Sequence, residues 1–285
     1  MNYMCKTENL MQLKDGRALG YAEYGDPDGR PVFFFHGWPS SRLFIKSLAQ
    51  VSAEMETRII AVDRPGFGIS DFQPGRKITD WPEDFAQLAD KLGIRKFAVA
   101  GHSGGAPYVL VCCKKMPDRI TKAAVISGMG PLDLPGAIDD MPFLHSLLFR
   151  FGRFLPYLDT VLIYLSLSGG LKIFSEVMIS SMPDADKEII KQNGADLDDL
   201  EQAFRQGARG PIHDIVILSK SWGFRLEDVK TKVYLWHGDR DVSVPIQTAK
   251  YVAEQLPDCL ATYYEGEGHL LISPRWKEIL SRLVG

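Results

Sequence analysis

The chain has 285 residues, of which 45% are hydrophobic and 24% charged, and its formal net charge at pH 7 is −3. These values are ordinary for a globular protein with a sizeable core, and the weakly acidic balance provides no basic surface for nucleic acid or anionic membranes. The composition therefore predicts no nucleic-acid partner.

The four cysteines predict neither a disulfide framework nor a metal site. None of Cys5, Cys112, Cys113 and Cys259 forms a C-x-x-C pair, and no H-E-x-x-H or similar cluster occurs. The first residues carry early charges and no long apolar run, so we expect no signal peptide. No segment approaches the roughly 18 apolar residues of a membrane span. We expect a cytoplasmic protein without metal or other cofactor, of unknown oligomeric state.

The first half of the chain alternates short apolar runs with helical patterns. The expected strands are 17–25, 31–37, 58–63, 96–101 and 122–127, and the expected helices are 41–54, 79–93 and 104–116. Continuous apolar strands separated by helices are typical of a parallel sheet covered on both faces.

The pattern changes at 128–142, which is rich in Gly, Pro and Asp. From 143 to about 228 only helical signals occur, first apolar and aromatic, then charged and amphipathic, and the charged part predicts a solvated helix face. The last elements are strands at 232–238 and 261–266 and helices at 245–256 and from 274. We therefore expect an α/β core domain, 1–130 and 230–285, interrupted by a helical domain, 131–229.

The segment 101–105, GHSGG, matches G-x-S-x-G and lies between a predicted strand and a predicted helix. A sharp strand-to-helix turn strains its central residue and leaves no room for side chains at the flanking positions, which favours glycine there. The turn would present the Ser103 hydroxyl at a helix N-terminus, where developing negative charge is favoured. The pattern indicates a nucleophile elbow with Ser103 as the nucleophile.

A serine nucleophile needs a base, and the base needs an orienting acid. The segments 237–245, HGDRDVSVP, and 265–272, EGEGHLLI, each follow the carboxyl end of a late strand, the edge where sites form in α/β sheets. We therefore expect His269 as the base. Asp241, directly before VSVP, is preferred as the acid. Asp239 is the alternative and otherwise a turn residue, and Asp133 is a distant third.

The other histidines are expected to have other roles. His36 and His237 end buried strands and are interpreted as structural. His102 occupies the variable position of the elbow, so its side chain should point away from the serine oxygen. His145 and His213 lie in the insertion, where surface or core packing is favoured over substrate contact.

Acyl transfer also requires donors for an oxyanion hole. We expect them to be the backbone N–H groups of Gly104, directly after the nucleophile, and Trp38, after the strand at 31–37. The Trp38 indole is expected to line the substrate pocket. The insertion also predicts an apolar entrance to this pocket. The alternative is that the same residues pack inside the inserted helical domain. The residues that carry this prediction are Phe143, Leu144, Leu147, Leu148, Phe151 and Phe154, with Phe143, Leu147 and Phe151 as the preferred contacts.

With these motifs in place, the chain resembles the α/β-hydrolase superfamily over essentially its full length. The matching segments are 36–39 (HGWP), 63–70 (DRPGFGIS), 101–105 (GHSGG), 237–245 (HGDRDVSVP) and 266–269 (GEGH). The resemblance implies an eight-stranded, mostly parallel sheet with a helical cap inserted after the sixth strand. It also implies a catalytic triad of Ser103, Asp241 and His269, with Trp38 and Gly104 as oxyanion donors.

The predicted triad favours a serine hydrolase that acts through an acyl-enzyme, and the apolar residues of the insertion favour a small to medium, hydrophobic carboxylic ester as substrate. Ser103 argues against haloalkane dehalogenases and epoxide hydrolases, which carry aspartate at this position. The alternatives are a carbon–carbon bond hydrolase of the dienoate type and a ligand sensor on the same fold with slow turnover. Lactone, thioester and peracid chemistry also remain open. Dinucleotide binding is disfavoured, because 62–71 lacks the third glycine of the phosphate-binding pattern.

Overall fold

The computed structural model describes residues 3–134, 137–139, 141, 146–147, 149–150, 152, 171–194 and 197–285. At its centre is a sheet of eight strands in the order β1-β2-β4-β3-β5-β6-β7-β8. The strands are β1 (Met4–Gln12), β2 (Ala18–Gly25), β3 (Arg30–Phe35), β4 (Thr57–Val62), β5 (Phe97–His102), β6 (Ile120–Ile126), β7 (Val233–Gly238) and β8 (Cys259–Tyr264).

The sheet is mostly parallel, as the resemblance implied. β1 and β2 pair antiparallel, and β2 pairs antiparallel with β4, whereas every pair from β4 through β3, β5, β6 and β7 to β8 is parallel. Phe35 lies beside Gly101, so the ends of β3 and β5 are level. The loops that follow the parallel strands therefore meet at one edge of the sheet.

Helices cover both faces of the sheet. Because successive side chains of a strand point to opposite faces, Phe33 and Phe35 of β3 belong to one buried cluster and Phe34 to the other. The described helices of the core are α1 (Ala49–Glu54), α2 (Trp81–Lys91), α3 (Ala106–Lys115), α8 (Ile246–Gln255) and α9 (Ile272–Val284).

Four described helices lie between β6 and β7, where the sequence predicted the insertion. They are α4 (Leu171–Ser180), α5 (Asp184–Asn193), α6 (Leu197–Ala203) and α7 (Arg209–Leu218). We call this helical segment the cap; its division from the core at 131 and 229 stays a prediction. Among the helices of the described ranges, none is both long and apolar enough to cross a membrane.

The seven strands expected from apolar runs are all present, but β1 was not predicted. Its sequence, MCKTENLMQ, is largely polar, and Leu10 is 63% exposed. β1 is an edge strand held by its backbone pairing with β2, so no buried face imposes an apolar pattern on it.

The expectation that the charged part of the cap forms only a solvated face is wrong at two positions. Asp186 on α5 is fully buried and Asp199 on α6 is 6% exposed. Both side chains accept hydrogen bonds from loops of the core, which compensate the loss of water around a carboxylate.

Candidate active site

Ser103 follows the last residue of β5 and has a backbone φ of 52°, a left-handed conformation that is strained for a residue with a side chain. The turn is as tight as the sequence predicted. A Cβ on Gly105 would lie 2.2 Å from the carbonyl oxygen of Phe35. A Cβ on Gly101 would lie 2.8 Å from the carbonyl oxygen of Gly105, whereas at Gly104, a variable position of the pattern, a Cβ would keep at least 3.4 Å from its neighbours.

The structure brings Asp241 and His269 together. His269 Nδ1–H donates to Asp241 Oδ2 at 2.8 Å, which leaves Nε2 as the basic nitrogen of the neutral ring. The other oxygen, Oδ1, accepts the backbone N–H groups of Ser243 and Val244, each at 2.9 Å. Asp239 instead accepts the backbone N–H of Gly266 at 2.7 Å and is the turn residue that the sequence indicated.

Burial sets the protonation states of this pair. Burial raises the pKa of Asp241 to about 6, against the opposing effects of His237 and of the two backbone N–H groups. Burial also lowers the pKa of His269 below its ordinary value. At pH 7 the pair is therefore a carboxylate and a neutral imidazole, the states that general-base catalysis requires.

Ser103 and His269 line the same cavity, which has a volume of about 750 Å³. Within the described part of the chain, the Ser103 hydroxyl makes no hydrogen bond to another residue. Hydrogen bonds between a nucleophile and its base are often long or poorly aligned without substrate, so the missing bond does not exclude a catalytic pair. Most other residues of the wall are apolar, among them Phe44, Met129, Phe149, Ile179, Met182 and Ile190.

The two expected oxyanion donors lie side by side. A Cβ on Gly104 would be 3.6 Å from the backbone nitrogen of Trp38, so the two residues are neighbours. Gly37 lies close to the serine, because a Cβ on Gly37 would be 3.1 Å from Ser103 Cβ. Trp38 is part of the cavity wall, and its indole Nε1–H donates to the carbonyl oxygen of Pro211 on the cap at 2.9 Å.

The predicted apolar entrance is placed only in part. Phe143 and Phe151, together with Leu144, His145, Leu148 and Phe154, lie outside the described residues. Leu147 is half-buried and is not part of the cavity wall. Phe149, from the same apolar run, does line the cavity. Sequence reasoning missed it because an apolar run does not show which side of a helix faces the pocket.

The remaining described histidines have structural partners. His36 Nε2 accepts the backbone N–H of Arg64 at 3.2 Å, so its Nδ1–H donates to the carbonyl of Gly37 at 2.9 Å. His237 Nε2–H donates to the carbonyl of Val244 at 2.8 Å. Burial lowers the pKa of both rings, which agrees with neutral, structural roles. His213 is half-buried on α7 and is not part of the cavity wall.

Three buried aspartates of the cap bind residues of the core, and the sequence did not indicate them. Asp186 accepts the backbone N–H groups of His269 and Leu270, each at 2.8 Å. Asp199 accepts the Ser41 backbone N–H at 2.8 Å, on the loop that carries Trp38. Asp214 binds three side chains of the core, and although burial opposes ionisation, the arginines among them hold its pKa below the usual range. These partners are Arg64, Arg76 and Tyr108, at 2.7, 2.5 and 2.6 Å.

Comparison with known proteins gives matches at the level of family and of fold. A family model described as alpha/beta hydrolase fold matches residues 30–273. A non-heme chloroperoxidase of Streptomyces lividans is 35% identical over 121 residues, which are 41% of this chain and 44% of the relative. A bifunctional esterase/perhydrolase of Acinetobacter calcoaceticus is 31% identical over 121 residues, 42% of this chain and 44% of the relative. The matched part therefore spans less than half the length of these curated relatives.

Solved structures also match nearly the whole chain, among them those of an esterase and a dienoate hydrolase. An esterase from Exiguobacterium antarcticum has a TM-score of 0.71 at 20% identity, covering 97% of this chain and 98% of the other. A 2-hydroxy-6-oxo-6-phenylhexa-2,4-dienoate hydrolase from Rhodococcus sp. strain RHA1 has a TM-score of 0.71 at 20% identity, covering 99% and 98%. At this identity the likeness shows the fold alone.

Proposed function

Because the chain belongs to the α/β-hydrolase fold family, we propose that it is a serine hydrolase that cleaves small to medium, hydrophobic carboxylic esters. One observation carries the proposal: His269, bonded to Asp241 at 2.8 Å, shares a cavity wall with Ser103. A buried acid, a base and a serine on a strained turn form the arrangement that activates a hydroxyl.

The reaction follows from the positions of these groups. His269 Nε2 takes the Ser103 proton while Oγ attacks the ester carbonyl, and Asp241 stabilises the imidazolium that forms. The backbone N–H groups of Trp38 and Gly104 stabilise the oxyanion of the tetrahedral intermediate. The imidazolium then protonates the departing alcohol and leaves an acyl group on Ser103. Water, deprotonated by the same histidine, attacks this acyl-enzyme and releases the acid.

The apolar wall favours a hydrophobic acyl or alcohol group. A cavity of about 750 Å³ lies within the range of pockets for small-molecule ligands. Each buried methylene contributes up to about 0.8 kcal/mol of binding, a factor of about four. We therefore expect kcat/KM for p-nitrophenyl esters to rise from acetate to hexanoate. A steady fall along this series would contradict the hydrophobic substrate class.

The direct test of the reaction is Ser103→Ala. The variant should lose turnover of p-nitrophenyl butyrate, because it lacks the hydroxyl that attacks the ester carbonyl. Circular dichroism and the melting temperature show whether the variant is folded. Turnover equal to that of the unmodified chain, in a preparation free of other esterases, would contradict the proposal.

Perhydrolysis is a second candidate, favoured by the relatives named as an esterase/perhydrolase and a non-heme chloroperoxidase. Hydrogen peroxide would attack the acyl-enzyme in place of water and release a peracid. The test supplies hydrogen peroxide together with an acetate ester and measures the halide-dependent oxidation of a dye, with Ser103→Ala as the control. Oxidation that persists in Ser103→Ala would rule this route out.

Two other results would favour the remaining alternatives. Thermal stabilisation by a ligand without any turnover would favour a ligand sensor. Cleavage of dienoates but not of esters would favour a carbon–carbon bond hydrolase.

A further inference from the structure

The cap contributes a buried carboxylate to the loop of the catalytic base. Asp186 lies in the first turn of α5 and is fully buried. Its two oxygens accept the backbone N–H groups of His269 and Leu270, each at 2.8 Å. A Cβ on Gly268 would lie 2.4 Å from this carboxylate, so the glycine before His269 is what allows the approach.

The other side of the His269 peptide is also held. His102 Nε2–H donates to the carbonyl oxygen of His269 at 3.0 Å, and the His102 ring stacks on Phe44 with centroids 4.8 Å apart. The His269 ring is bonded to Asp241 through Nδ1. The base is thus fixed by three groups, one each from the cap, the nucleophile turn and the acid loop.

We propose that Asp186 is a positioning residue for the base, through which the docked cap fixes the geometry of His269 relative to Ser103. This inference rests on the function proposed above. A carboxylate suits the task because it is a pure acceptor with two oxygens, and each oxygen binds one of the two consecutive N–H donors. An asparagine in the same place would turn its NH2 group towards one of these donors.

The Asp186 charge also acts on the His269 ring. The titratable groups around the ring are Asp186 on α5, Asp241 on the acid loop, His237 at the end of β7 and His102 at the end of β5. Among them, the Asp186 carboxylate favours the protonated ring and raises the pKa of His269 against the larger, lowering effect of burial. Removing this charge should lower the pKa of His269 further, since a buried imidazolium would have lost one of its two nearby anions.

The test compares Asp186→Asn with a matched control on the same helix. Asp184→Asn removes one charge from the same turn, but the Asp184 side chain is fully exposed and lies 4.0 Å from Lys187. We expect Asp186→Asn to lower kcat for p-nitrophenyl butyrate by about 10- to 100-fold with KM within about 2-fold, because misplacement of a catalytic group by about 1 Å has an effect of this size. Asp184→Asn should behave as the unmodified chain.

Two further readouts separate positioning from a purely structural role. The pKa of the His269 ring, followed by NMR titration, should fall in Asp186→Asn and stay in place in Asp184→Asn. The backbone amides of His269 and Leu270 should lose protection from hydrogen exchange in Asp186→Asn only. A second variant, Gly268→Ala, displaces the carboxylate without altering it and should also lower kcat, which keeps the inference testable if Asp186→Asn does not fold.

The outcomes are distinguishable from a failure of the proposed function. Absence of ester turnover in the unmodified chain would contradict the proposed function, and the inference would then be decided by an NMR titration of the His269 ring and by amide exchange. Turnover in the unmodified chain, with kcat and the pKa of the His269 ring unchanged in folded Asp186→Asn, would overturn the inference. Unchanged kcat in folded Gly268→Ala would do the same. A rise in KM alone would overturn it as well, since it would assign Asp186 to substrate binding.

Discussion

At the scale of single residues, the pKa of Asp241 is set by two opposing effects, burial and hydrogen bonding. Burial raises its pKa to about 6, whereas hydrogen bonds from Ser243 and Val244 favour the carboxylate. A raised acid pKa means that the carboxylate is present above about pH 6 and is lost as the pH falls through that value.

Only the carboxylate stabilises the imidazolium that forms during attack. We therefore expect kcat/KM to be constant near pH 7 to 8 and to fall below about pH 6, measured with an ester that is stable over this range. A constant kcat/KM down to pH 4 would contradict this assignment of the acid.

The two neighbouring aspartates offer a matched pair of variants. Asp241→Asn should lower kcat by about 10³-fold or more, because the amide no longer holds His269 in the productive tautomer. Asp239→Asn should leave kcat close to that of the unmodified chain, since the Asp239 side chain binds the turn at Gly266 and lies beside the exposed Arg240. A larger loss in Asp239→Asn would reverse the assignment.

At this scale the sequence was informative where chemistry requires a local pattern. Ser103 is recognisable from its turn, and Asp241 and His269 from loops at the ends of strands. Asp186 is not recognisable, because a buried acid on an amphipathic helix has the same sequence pattern as a solvated one. Only the packing of α5 on the loop at Gly268 distinguishes the two.

At the scale of elements, the strands buried on both faces were predictable and the edge strand β1 was not. The sequence showed the cap as helices, but not the contacts by which those helices dock. Asp214 on α7 is the clearest case, because it lies fully buried between Arg64, Arg76 and Tyr108 of the core. Removing one partner of a buried ion pair leaves the other charges uncompensated.

We therefore expect Asp214→Asn to lower the free energy of unfolding by about 3 kcal/mol, measured by urea denaturation. The control is Glu227→Gln, at an exposed ion pair with Arg225, which should leave the free energy of unfolding unchanged. Equal stability of Asp214→Asn and the unmodified chain would show that this carboxylate does not hold α7 on the core.

At the scale of the whole molecule, the cap and the core together build the site. Parallel strands bring the loops with Ser103, Asp241 and His269 to one edge of the sheet, and cap residues complete the wall of the cavity there. Buried cap carboxylates bind the loops of Trp38 and His269. The sequence predicted this division into core and cap, but the wall of the cavity depends on helix orientations that no local pattern specifies.

The central claim is that Ser103 is the nucleophile and that His269 activates it. The most direct measurement is intact-protein and peptide mass spectrometry after brief reaction with a fluorophosphonate. We expect a single adduct on Ser103 in the unmodified chain, much slower labelling in His269→Ala, and none in Ser103→Ala. An unlabelled Ser103, or labelling at the same rate in His269→Ala, would contradict the account.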